Sequence, residues 1–305
     1  MTVNVKAWLA LGRLPFHSVG VMPFILGTIM AWRFVGIIRW PVVLWAMAAV
    51  VLIMLATYLN GECYDIVEDR LAAEQGKNPF SGGSQIVVRH VLPRSYPRLG
   101  AIVSISLAMA IGLLLQFYFR TGPWTIPLGA CGVFAGFFYS APPFRWVGRG
   151  CGELLIGFCY GWLPVATAFY LQSGRLTSVI HWLTPPIACT IFNVILINEF
   201  LDRDADERAG KRNLAVRLGL EKSAVLYVLA AALSVLFVGV SILKGVPRVM
   251  GVFYLPFLAI SLFLIAQMLR RRYRERRILL VLCGLTIVLN LGVSLSYSLA
   301  YLLGR

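Results

Sequence analysis

The sequence predicts an all-α integral membrane protein, with nine transmembrane helices around a central cavity and two pseudo-repeated halves. Three observations carry that prediction. Of 305 residues, 59% are hydrophobic and only 13% are charged, against about 25% charged in a soluble domain. Apolar runs of the length that crosses a bilayer, about 20 residues, recur nine times. One acidic signature, E-x-x-D-x-x-x-D, occurs twice, 137 residues apart, each time at the end of such a run.

In chain order the runs are 14–32, 41–60, 98–118, 124–140, 152–171, 181–199, 223–243, 250–269 and 278–301; the first, fourth and eighth have the least sharp edges. The first lacks a small-residue cleavage site and eight more follow, so it reads as a retained helix rather than a signal peptide. The second run leads into Glu62, Asp65 and Asp69 and the polar loop 61–96. The sixth leads into Glu199, Asp202 and Asp206 and the polar loop 199–222. Other connections are short. The runs use most of the chain, so residues 1–305 are expected to form a single membrane domain. The repeat of run, acidic cluster and basic loop rests on the two motifs, offset by four helices; repeats of this kind often place a site at their interface.

The net charge of +15 invites a nucleic-acid reading, and its distribution argues against one. With a cytoplasmic N-terminus, the inside segments hold 21 of the 28 Lys and Arg residues. That is the bias that orients membrane proteins, and it puts both acidic motifs on the cytoplasmic side. The run Arg270–Arg277 suits topology and attraction to anionic lipid. Six cysteines include no C-x-x-C pair and mostly sit within runs, as small apolar fillers. His17, His90 and His181 read as structural or interfacial.

On a continuing helix, Glu62, Asp65 and Asp69 fall within an arc of about 60°, as do Glu199, Asp202 and Asp206. Magnesium takes oxygen ligands from one or two carboxylates plus substrate phosphate and water. Two facing clusters therefore suit magnesium and a diphosphate. Six carboxylates and a diphosphate leave the site negative even with two magnesium ions, so basic groups are needed. Lys211, five residues after Asp206, is the first candidate and Arg145 the second; Lys77, Arg70, Arg203 and Arg212 lie on the same face. The loop stretch Gly76–Ser84 reads either as a flexible surface turn or as backbone amides that cradle an anion.

Three stretches carry a family resemblance: N-E-x-x-D-x-x-x-D-x-x-x-G-K-R-N-L from Asn198 to Leu214, F-Y-S-A-P-P-F-R from Phe138 to Arg145, and L-P-F-H-S-V-G-V-M-P-F-I-L-G-T from Leu14 to Thr28. With the nine runs, the chain resembles the UbiA superfamily of intramembrane aromatic prenyltransferases. The resemblance implies that Asp65, Asp69, Asp202 and Asp206 bind magnesium and prenyl diphosphate. The family's motif asparagine matches Asn198. In the first motif that position is Gly61, so either Asn60 or Glu62 is expected to serve instead.

The mechanism expected is ionisation of an allylic C–O bond, with aromatic side chains stabilising the cation. Tyr139 is the first candidate, and Phe138, Phe200 and Tyr64 are possible walls. The expected substrate-binding set is Asn60, Glu62, Lys77, Tyr139, Arg145, Asn198, Glu199 and Lys211. The expected partners are prenyl diphosphate, an aromatic acceptor and membrane lipid. Within the family, Phe80–Gly83 and Gly210–Leu214 look most like the dihydroxynaphthoate prenyltransferases of menaquinone synthesis. Other acceptors stay open: 4-hydroxybenzoate, homogentisate, chlorophyllide, haem or a glycerol phosphate ether. A CDP-alcohol phosphotransferase lacks support, because its single acidic motif with fixed Gly, Ala and Arg positions is absent. A cation transporter is the non-enzymatic alternative, although transporter sites sit near mid-membrane and these clusters sit at run ends.

Overall fold

A computed structural model describes residues 5–76 and 78–304. Among them there is no strand; the chain is helix and connection throughout. The helices are α1 (Val5–Leu11), α2 (Ser18–Val35), α3 (Trp40–Tyr64), α4 (Ile66–Glu74), α5 (Ser95–Leu113), α6 (Thr125–Phe137), α7 (Gly152–Gly157), α8 (Leu163–Ser173), α9 (Ser178–Arg208), α10 (Leu214–Leu243), α11 (Met250–Leu269) and α12 (Arg276–Leu303). A short 3₁₀ turn joins α1 to α2, and a π-helical turn, Phe158–Trp162, joins α7 to α8.

Eight helical stretches of the described residues are long and apolar enough to cross a membrane. The protein is an integral, multi-pass membrane protein. Three of the eight are composite: Val5–Val35 contains α1 and α2, Ser95–Tyr118 contains α5 and a π-helical turn, and Gly152–Ser173 contains α7 and α8. The fourth expected span, 124–140, is the exception. Its helix, α6, has 13 residues and rises about 20 Å, short of a hydrocarbon core about 30 Å thick. Gly122 and Pro123 precede it, and Pro142 and Pro143 follow it.

Large apolar side chains remain exposed along the outer faces, among them Leu99, Ile102 and Leu107 on α5, Leu229 and Leu236 on α10, and Leu255 and Leu262 on α11. On a water-soluble protein such a belt would be an association surface; against lipid tails it is an ordinary exterior. The interior holds close contacts between small residues. A Cβ on Gly161, in the π turn, would lie 2.7 Å from the Ala188 Cα of α9, so only glycine lets these backbones meet. Two pairs of buried hydroxyls meet between α10 and α12: Tyr227 Oη with Thr286 Oγ1 at 2.7 Å, and Tyr297 Oη with Ser241 Oγ at 2.8 Å. Unpaired polar groups are costly in hydrocarbon, and these pairs tie α10 to α12.

α9 positions much of the site. Its 31 residues span about 46 Å, more than the hydrocarbon core, and Asp202 and Asp206 lie in its last two turns. The break between α3 and α4, the loop residues 78–94 and the hairpin 209–213 gather at that same end.

Candidate active site

The second acidic motif lies on an unbroken stretch of α9. Asp206 is buried, at 2% exposure. Its carboxylate accepts from Asn213 Nδ2 at 2.7 Å and Lys211 Nζ at 3.2 Å. Both donors come from the hairpin that ends α9. Gly210 has φ 77° there, a left-handed conformation that glycine adopts without a Cβ penalty. Burial would lower the Lys211 pKa, but the Asp206, Asp65 and Asp202 charges together hold it well above the usual lysine value. Lys211 is therefore a fixed cation between the two motifs. Asp202 faces the other way and accepts from Ser81 Oγ at 2.8 Å and the Gly82 N–H at 3.0 Å. Asp204 and Glu207, between and beyond these positions, make surface pairs with Arg203.

The first motif has the same spacing and a different scaffold. The helix breaks at Asp65, with φ −102° and ψ 24°. Asp65 accepts from Ser140 Oγ at 3.0 Å and pairs with Arg145 at 3.3 Å. Arg145 also pairs with buried Glu68. Burial raises the Glu68 pKa, helped by the Asp65 charge. Burial likewise pushes Asp69 well above the usual carboxylate range, with Asp65 and Glu62 adding to it. Burial lowers the Arg145 pKa, but the Glu68 and Asp65 charges outweigh that and leave it raised.

The loop after α4 is folded onto both motifs. Asn78 Oδ1 accepts from the Phe80 and Ser81 N–H groups at 2.9 and 2.8 Å, the local turn an asparagine favours. Ser81 and Gly82 then reach Asp202, while Ser84 donates from its N–H and its hydroxyl to Glu62, both at 2.6 Å. The Gly82 and Ser84 amides thus bond carboxylates rather than forming an anion cradle. Gly83, at φ 64°, lies so close to the first motif that a Cβ would stand 2.1 Å from Asp69 Oδ2.

Both motifs line one polar pocket of about 210 Å³. The sequence-predicted residues on its wall are Glu62, Asp65, Asp69, Tyr139, Asn198, Glu199, Asp202, Asp206 and Lys211. Asn60 and Arg145 are not on it. Asn60 is buried and donates to the Phe137 carbonyl at 3.1 Å, tying α3 to the end of α6. Arg145 stands behind Asp65. Lys77 lies outside the described residues. Phe200 packs edge-on against Tyr273, and Tyr64 lies under the Arg94 guanidinium, so neither is on the pocket wall. An apolar groove of about 530 Å³ adjoins the pocket. Thr57, Tyr139, Ile156 and Tyr160 belong to both linings.

Sequence reasoning missed four contributors. Arg13 and Ser140 line the pocket, Glu68 is paired with Arg145, and Glu153 is buried beside Glu199. Glu153 left a signal, a carboxylate opening an apolar run; ionisable groups in such places tend to be functional. Arg13 left only a basic residue before a span, which topology alone explains.

Among the described residues no three carboxylates close tightly enough to form a ready-made cage for one ion. The donor set still fits a hard divalent cation that shares its ligands between carboxylates and phosphate oxygens. Four aspartates reach one pocket, beside a fixed lysine.

The model of the UbiA prenyltransferase family matches residues 20–301. The chain belongs to that family. It is a prenyltransferase. It is 27% identical over 220 residues, 72% of this chain and 67% of the relative, to the 1,4-dihydroxy-2-naphthoate octaprenyltransferase of Bacillus subtilis. The fold superposes on the apo structure of a UbiA homolog from Aeropyrum pernix with a TM-score of 0.67 at 16% identity, covering 94% of this chain and 97% of that one. A UbiA homolog from Archaeoglobus fulgidus, solved bound to DMAPP and Mg2+, superposes with a TM-score of 0.59 at 16% identity, covering 95% and 98%.

Proposed function

We propose that this UbiA-family prenyltransferase moves a polyprenyl group from its diphosphate to an aromatic acceptor of the hydroxynaphthoate class, in the making of a menaquinone-like lipid quinone, with magnesium as cofactor. The observation that carries the proposal is that both acidic motifs line one polar pocket, and that pocket adjoins an apolar groove. A prenyl diphosphate has the same two-part character, a multiply charged head and a long hydrocarbon tail. The curated relative's name supports the acceptor class, and the DMAPP- and Mg2+-bound neighbour supports the donor and the metal.

In this reading Asp65, Asp69, Asp202 and Asp206 hold the metal. When bound, it neutralises the diphosphate and stabilises it as a leaving group. The chain's own groups do the rest. Lys211 adds positive charge at the diphosphate, and Arg145 fixes Asp65 through the pair at 3.3 Å. Asn198 has a buried Oδ1 without a partner among the described residues and orients the head group. Glu62 anchors the loop rather than touching substrate. The groove excludes water from the tail, and Tyr139, at the junction, presents an aromatic face to the allylic carbon. The remaining elements of the proposal are a single domain over 1–305, two related halves, nine crossings with α6 as the short one, a central cavity, and a cytoplasmic N-terminus with both motifs on that side.

The test uses purified protein in lipid nanodiscs with magnesium, labelled prenyl diphosphate, and either 1,4-dihydroxy-2-naphthoate or 4-hydroxybenzoate. Prenylated naphthoate product, lost on chelation and regained with magnesium, is the expected outcome. Product from the benzoate alone would overturn the acceptor, and no product from any aromatic would overturn the function.

A further inference from the structure

The glycines that line the apolar groove differ in what surrounds them. On Gly20 a Cβ would stand 2.6 Å from Met54 Sδ, and on Gly136 it would stand 2.5 Å from Thr57 Oγ1. Packing explains both, because a side chain at either place would collide with α3. On Gly112 and Gly129 a Cβ would meet nothing within 4 Å. Glycine weakens a helix interior relative to alanine, and no close backbone approach offsets that loss at these two positions. Both are half-buried, and what they border is the groove, of about 530 Å³. Gly239 on α10 is equally open, but it is exposed and belongs to neither the groove nor the polar pocket.

α6 runs the length of the groove. Phe137 and Tyr139 stand at the end that meets the polar pocket, and Thr125 stands at the other, beside Leu115 and Leu128. These last three are buried. Gly129 lies about 12 Å along the helix from Phe137. Gly112 is the last residue but one of α5. Gln116 Oε1 accepts from the Ile126 N–H at 3.1 Å, which ties the chain after α5 to the start of α6. Gly112 and Gly129 therefore border the same part of the groove, the part away from the diphosphate, from two different helices. An extended isoprene unit is about as long as one helical turn, roughly 5 Å. With the allylic carbon at Tyr139, as assigned above, two units fill the stretch as far as Gly129. The third unit has to pass the two glycines.

We propose that Gly112 and Gly129 determine the donor length that the enzyme accepts. The absence of two side chains keeps the far part of the groove open to the third and later isoprene units, so donors longer than geranyl diphosphate are admitted. The proposal rests on the reading under Proposed function only for the donor, a prenyl diphosphate with its head in the polar pocket and its tail in the groove. The recognised group is hydrocarbon, so the two positions act through volume alone, and no charge or proton takes part. A side chain at either position would leave the head, the allylic carbon and the first two units untouched and would meet the chain beyond them.

The test measures magnesium-dependent binding of geranyl diphosphate, with two isoprene units, and geranylgeranyl diphosphate, with four, to the purified protein in lipid nanodiscs. Gly129→Leu and Gly112→Leu should each raise the Kd for geranylgeranyl diphosphate by about 10- to 200-fold, the range over which a hydrophobic pocket rejects a misfitting group, while the Kd for geranyl diphosphate stays within about twofold. Gly239→Leu, the same change on the outer surface, should move neither value. The ratio of the two Kd values is the readout, so a smaller folded fraction or a change in lipid partitioning cancels. Equal losses for the two donors, or no loss for either, would remove that glycine from the proposal, and the same result in both variants would overturn it. If the wild type binds both donors and prenylates no aromatic, the transfer reading fails while the Kd ratio still decides this proposal.

Discussion

The two acidic motifs share one spacing and differ in how they are held. Glu199, Asp202 and Asp206 ride on one uninterrupted helix, and the hairpin ending that helix supplies Lys211 and Asn213 to Asp206. Glu62, Asp65 and Asp69 straddle a break. Their partners come from far along the chain: Ser84 for Glu62, and Ser140 and Arg145 for Asp65. Asp206 is thus held by residues next to it in the chain, whereas Glu62, Asp65 and, in the second motif, Asp202 depend on distant segments. The loop residues Ser81 to Ser84 reach both motifs. Identical spacing therefore fixes which carboxylates point together, but it leaves open how firmly each set is held.

The strongest way to break the comparison is to remove one carboxylate from each motif. Asp65→Ala and Asp202→Ala should each lower transfer by about 10²–10³-fold, the scale of losing a preorganised electrostatic group, with the folded protein still recovered from membranes. Near-normal turnover in either variant would remove that motif from the site.

The basic partners should differ in a graded way. The Lys211–Asp206 pair is buried, with side chains 13% and 3% exposed, while Arg145 is 38% exposed. Truncating one partner of a buried pair costs about 3–5 kcal/mol, because it leaves the other charge uncompensated; solvent screens the exposed one. Lys211→Ala should therefore raise the KM for prenyl diphosphate more than Arg145→Ala does, and more than it raises the KM for acceptor. Equal effects of the two variants would mean that the motifs are equally supported.

Gly83→Ala probes the link between them. Its methyl group would have to displace Asp69, and an outer-shell disturbance of this kind costs about 10-fold or more in metal affinity. Unchanged magnesium dependence of transfer would show that the loop does not fix the first motif. The smallest effect belongs to Arg203, whose pairs with Asp204 and Glu207 are solvent-exposed on one side or both. Arg203→Ala should change thermal stability by no more than about 0.5 kcal/mol and leave turnover intact, even though it adjoins Asp202.

Much of this site was legible in the sequence. The helical period places Asp65, Asp69, Asp202 and Asp206 on matched faces, and charge compensation singles out Lys211. What could not be read depends on contacts between distant segments. Ser81 reaches Asp202 across 121 positions, and no local pattern announces that bond. Asn60 was drawn toward the site by its nearness to the motif, yet one residue of offset turned it onto the Phe137 carbonyl. The fourth apolar run reads as a helix to residue 140, but α6 ends at Phe137, because hydropathy averages over Tyr139 and Ser140 and does not register where a helix stops. Glu153 was visible as a lone acid in an apolar run, but its partner was not, because the α7–α9 contact sets it.

The central claim is that the two motifs act on one diphosphate. A double-mutant cycle on magnesium-dependent binding of prenyl diphosphate tests it most directly, by calorimetry in nanodiscs with Asp65→Asn, Asp202→Asn and the double variant. Groups that serve one ligand as a unit are strongly non-additive, so the account predicts a double variant that binds no more weakly than the worse single. Losses that multiply independently would mean two separate sites, and would contradict it.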